Sequence, residues 1–149
     1  AVEHALAAFK RHVAEALPAF PVSEAALAEQ VDKAKAASSA AFRSHSVGST
    51  LEVAHYQDRL AKAMEDEVFL LQERNSQAAQ ALATTLLHDL QTAHLSNPEN
   101  YTSVQAFEKD LKVFLEKFDA RFVGPQPQKH AALVKFLPAA LVSAFRSIS

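Results

Sequence analysis

Seven histidines and no cysteine, in a chain of 149 residues, restrict side-chain chemistry largely to imidazoles and carboxylates. Glu52 and His55 form an E-x-x-H pair, the spacing with which carboxylate-bridged di-iron bundles aim two ligands from one helix face. Such a centre needs the motif on two helices. No second E-x-x-H and no H-x-x-x-H occurs, and His12 with Glu15 only reverses the order, so these residues read as surface side chains rather than metal ligands. A haem pocket fails because His55 and His88 fall in one uninterrupted helical stretch, with no corner to bring them to opposite faces of a haem. Nucleophilic catalysis lacks a G-x-S-x-G elbow. A phosphate loop needs several glycines before Lys and Ser or Thr, whereas Gly48 precedes Ser49 and Gly124 precedes Pro125. The expectation is therefore a chain with no catalytic, cofactor-binding or metal-ligating residues.

Positioning falls to one stretch above all. Between Thr50 and Leu95 no proline or glycine intervenes, and Val53, Tyr56, Leu60, Met64, Val68, Leu71, Asn75, Ala78, Leu82, Leu86, Leu90 and Ala93 recur in steps of three or four. Their mean spacing is near that of a straight helix, about 3.6 residues per turn, rather than the 3.5 of a left-handed coiled coil. The spacing predicts one long helix over about 50–95, longer than a compact domain of this size needs. Before it, Val2, Leu6, Phe9, Val13 and Leu17 mark a first helix stopped by Pro18 and Pro21, with Phe20 plugging the corner. Ser23 is placed to cap a second helix carrying Leu27, Val31, Ala34, Ser38 and Ala41, whose small side chains let a neighbour approach. Ser44 to Ser49 reads as a turn, and Ser49 with Glu52 as a capping box. After it, Asn97 caps a helix starting at Pro98, and Val104, Phe107, Leu111, Phe114, Phe118 and Phe122 form an aromatic stripe suited to a packed core. Gly124, Pro125 and Pro127 make a corner, followed by short helices over about 128–137 and 138–148, the last with Leu141, Val142, Phe145 and Ile148 inward. The fold expected is all-α: an elongated bundle or stalk of about six helices organised around the long one.

Composition agrees with that reading and excludes several classes. With 49% hydrophobic residues, two glycines and no alternating β-branched runs, the chain can bury a core of helices. A formal net charge of -2, with both signs interspersed, argues against nucleic acid as a partner. Without cysteine there are no disulfides, thiolate metal sites or cysteine-linked lipids. No apolar run approaches the length of a membrane span, and a cytoplasmic location is expected.

The order of these patterns resembles the helical region that follows the GTPase domain in the guanylate-binding proteins, large GTPases of the dynamin superfamily. The similarity is carried by the opening stretch Ala1 to Val13 with its corner at Pro18 and Pro21, then Ala34, Ala41 and Phe42. It continues through Tyr56, Leu60, Asn75, Leu86 and Leu87, then 97–101, Val104, Leu111, Leu115, Gly124 and the stretch Leu133 to Leu137. Asn100 stands where that family usually has glycine. The resemblance implies one helical stalk domain over 1–149, a fragment of a longer chain whose GTP and magnesium sites lie in an upstream domain absent here. It implies a non-catalytic role in contacts with that GTPase domain in cis and in self-association, with a membrane or protein surface reached through other parts of the parent. The alternative is an independent helical adaptor or oligomerisation module.

Overall fold

The protein is seen in a computed structural model that describes residues 2–45, 50–95 and 101–148. Five helices and no strand are found among them: α1 (Val2–Ala16), α2 (Glu24–His45), α3 (Thr50–His94), α4 (Val104–Arg121) and α5 (Gln126–Ile148). The all-α class is as expected, and α3 spans 45 residues. Five helices replace the expected six. The proposed break at Pro138 does not occur, and α5 runs through that proline. Loss of one backbone hydrogen bond at an interior proline is offset here by packing on both sides of it. Phe136 stacks on Phe114 with ring centroids 5.1 Å apart, and Ala140 and Ala144 are buried in the next turns. With Pro138 inside the helix, α5 is long and apolar enough to cross a membrane by length and composition, correcting the expectation that no such run exists.

The chain divides into two compact units, Ala1–Asn75 and Ser76–Ser149. In the first, Phe9, Val13, Leu17, Leu27, Val31 and Ala34 form one buried cluster, against which Met64, Val68 and Leu71 of α3 pack. A second cluster joins Ala5, Phe42 and Leu60. The small residues of α2 serve a close helix contact: Ala34 is fully buried, and the Ser38 hydroxyl donates to the carbonyl of Ala5 on α1 at 2.9 Å. Ser23 caps α2 as expected, its hydroxyl accepting from the Ala26 N–H at 3.1 Å. The turn and capping box assigned to Ser49 lie outside the described residues, although α2 itself continues to His45.

In the second unit the aromatic stripe is the core. Phe107, Phe114, Phe118 and Phe122 are buried with Ala79, Ala83, Leu87 and Leu90 of α3 and Ala144 of α5. Val104, at the head of the stripe, is exposed. Asn97 and Pro98 lie outside the described residues, but 101–103 are not helical, so the helix expected from Pro98 begins instead at Val104, with Ser103 as its cap accepting from the Ala106 N–H. Two registers differ from the periodic reading. On α3 the deeply buried positions are Ala79, Ala83 and Leu87, not Ala78, Leu82 and Leu86, which are half-buried. The corner at Gly124 sets this, because a Cβ added to Gly124 would lie 2.8 Å from the Ala79 Cβ and its φ is +150°. Only glycine facing alanine allows that approach. On α5 Leu141 and Ile148 pack on the core as expected, with Ala140 and Ala144 buried, while Val142 and Phe145 stay about half exposed, the Phe145 ring centre 6.5 Å from that of Phe107. The continuous helix carries its phase from Phe136 through Pro138, which buries Ala140 and Ala144 and leaves Val142 off the core face.

Candidate functional site

A single asparagine interrupts the apolar stripe of α3. Asn75 is 1% exposed, and both ends of its amide are used on one residue: Oδ1 accepts from the Val22 N–H at 2.7 Å and Nδ2 donates to the Val22 carbonyl at 2.9 Å. A buried amide must find such partners or cost free energy, so this clasp holds the segment after Pro21 at one register on α3. Phe20, half-buried, packs on the same cluster with the Arg74 guanidinium 4.8 Å from its ring centre. These groups organise the corner; their amide, ring and guanidinium offer no nucleophile or proton-transfer pair.

The histidines tested as ligands are dispersed. Glu52 and His55 lie exposed in the first turns of α3, where His55 sits beside Tyr56, ring centroids 5.7 Å apart. His12 Nε2 is 3.2 Å from Gln30 Oε1, a bridge between α1 and α2. Among the described residues no group of three or more His, Asp or Glu side chains could hold a metal ion.

Unit Ser76–Ser149 contains an open cleft of about 480 Å³ between α3 and α5. Leu87, Phe136 and Ala140 line its apolar part, and Thr84, His88 and Lys135 stand at its polar edge. Volume and apolarity fall in the range of small-ligand sites. Thr84, His88 and Lys135 are each exposed to solvent at this edge.

Surfaces are more distinctive than cavities. In the first unit Phe69 and Leu70, adjacent on α3, are 60% and 59% exposed. In the second, Val134, Val142 and Phe145 of α5 are 72%, 50% and 49% exposed. The α5 surface escapes a reading that divides the helix at Pro138, and the pattern that reveals it is the spacing of Val134, Pro138, Val142 and Phe145 on one face of a single helix. The Asn75 clasp carried a sequence signal, a polar residue at a core position, though not the identity of its partner. No protein-family model, curated protein or solved structure matches this chain.

Proposed function

We propose that this chain is a non-catalytic helical module that acts through protein contacts, in the manner of a stalk. The observation that carries the proposal is the pair Phe69 and Leu70, two large apolar side chains consecutive on a regular helix and each more than half exposed. Adjacent exposed aromatic and aliphatic groups gain most from being covered by another protein surface. A second copy of the chain is the partner assigned to this pair. The resemblance to the stalk of guanylate-binding proteins supplies the more specific form: an upstream GTPase domain in cis, which would hold GTP and magnesium, and a cytoplasmic location. What supports that form is the order of sequence patterns, including Asn75, Leu86 with Leu87, and Gly124.

Sedimentation velocity over a range of concentrations tests the self-association. The parent chain is expected to dimerise, and Phe69→Glu with Leu70→Glu to return it to monomer with its helical circular dichroism intact. A parent that stays monomeric at the highest concentration overturns the proposal for this pair. For the specific form, the parent gene decides: a G-x-x-x-x-G-K-[ST] motif upstream supports the stalk of a large GTPase, and its absence supports an independent module.

A further inference from the structure

Helix α5 has a composition unlike the rest of the chain. It carries Lys129, Lys135 and Arg146 and no carboxylate, although the whole chain has a net charge of -2; of the three, Lys129 is paired with Asp119 of α4. Over eighteen residues its mean hydropathy is 1.5, yet only 11% of that window is buried. A core helix would hide such a sequence. Here Ala140 and Ala144 are buried and Leu133, Phe136, Leu141 and Ile148 pack on the core, whereas on the other side Val134, Pro138 and Val142 are exposed and Phe145 is half exposed, its ring centre 6.5 Å from that of Phe107. Steps of four, four and three residues place these four on one face. Lys135 and Arg146, about three turns apart, border that face along the same edge and are both exposed.

We infer that the outer face of α5 docks on an anionic lipid surface, lying in the plane of the bilayer interface. An apolar strip edged by cations is the arrangement that interfacial helices use, with side-chain stems in the acyl boundary and ammonium or guanidinium groups among anionic headgroups. Charge decides between lipid and a second copy of the same face. Self-docking would find no carboxylate on the opposing α5 to meet Lys135 and Arg146, whereas anionic headgroups complement both. In-plane docking rather than spanning follows from the other side of the helix. Ala140 and Ala144 are committed to the unit's core, and spanning would bring Lys135 into the hydrocarbon interior. The lipid site is independent of self-association through Phe69 and Leu70, which belong to the other unit.

Vesicle co-sedimentation with the full chain tests the inference, comparing phosphatidylcholine alone with phosphatidylcholine containing 30% phosphatidylserine. Binding is expected to be at least about tenfold tighter to the anionic vesicles and to weaken in high salt. Val134→Glu with Val142→Glu, both at exposed positions, should abolish binding while leaving the melting temperature near the parent's. Lys135→Gln, which leaves the apolar strip intact, should weaken it about fivefold. Failure to bind anionic vesicles overturns the inference, as does binding that these substitutions leave unchanged. Resistance of the bound chain to carbonate extraction overturns the in-plane geometry. A dimer dissociated by Val134→Glu with Val142→Glu, but not by Phe69→Glu with Leu70→Glu, would assign the α5 face to a second copy and overturn the lipid assignment.

Discussion

The two units bury different kinds of residue. In Ala1–Asn75 the clusters are chiefly aliphatic, with Phe9 and Phe42 as their deeply buried aromatics, and two polar side chains, Ser38 and Asn75, lie fully inside. In Ser76–Ser149 the core is a column of phenylalanines from α4 set against alanines of α3 and α5, and the deeply buried side chains are apolar apart from the hydroxyl of Tyr101. That hydroxyl donates to Asp110 at 2.7 Å. Helices rich in alanine have smooth faces that could slide past one another. The first unit sets its register with directional hydrogen bonds, from Ser38 to the Ala5 carbonyl and between Asn75 and Val22. The second relies mainly on shape, large rings set against Ala79, Ala83, Ala140 and Ala144, and its hydrogen bonds, from Ser147 to the Tyr101 carbonyl and from Gln128 to the Ser76 hydroxyl, lie at the two ends of α5. Hydrogen bonds tolerate little change of chemistry, and interlocked rings tolerate little change of volume.

The contrast can be broken from either side. The largest effect is expected in the ring column: Phe118→Ala or Phe114→Ala, both at fully buried positions, should cost about 3–5 kcal/mol in urea denaturation. A change below about 1 kcal/mol would mean that the column is not the core of its unit. In the hydrogen-bonded unit, Asn75→Leu keeps the branching and heavy-atom count of the side chain but leaves the Val22 N–H and carbonyl without their partner, and about 2–3 kcal/mol should be lost. Amide exchange sharpens this case, because the Val22 N–H should lose protection more than the amides of α4. A neutral outcome would show that volume, not hydrogen bonding, governs this site too. A smaller loss, about 1–3 kcal/mol, is expected for Gly124→Ala, where both the positive φ and the Ala79 Cβ stand in the way. Pairing it with Ala79→Gly should recover part of the loss if close approach is the cause, and none if backbone strain dominates. Lys112→Ala, on the exposed side of α4, should change stability by no more than about 0.5 kcal/mol.

What could be known before folding was local. The long helix follows from apolar spacing uninterrupted by proline or glycine between Thr50 and His94, the cap at Ser23 from a hydroxyl beside acidic Glu24, and the aromatic stripe from helical recurrence of Phe107, Phe114 and Phe118. Each depends on residues a few positions apart, where backbone geometry alone sets who faces whom. Tertiary structure decided the remainder. Pro138 stays inside α5 because Phe136 meets Phe114 before it and Ala140 and Ala144 are buried after it, contacts made with chain distant in sequence. The one-residue shift of the buried face on α3 depends on Gly124 approaching Ala79 across more than forty positions, and the role of Asn75 depends on Val22. The outward turn of Val142 and Phe145 has the same origin. A periodic pattern marks which residues are able to be buried, but the phase of the unbroken helix decides which are: Ala140 and Ala144 are buried and Leu141 and Ile148 pack on the core, while Val142 is left half exposed.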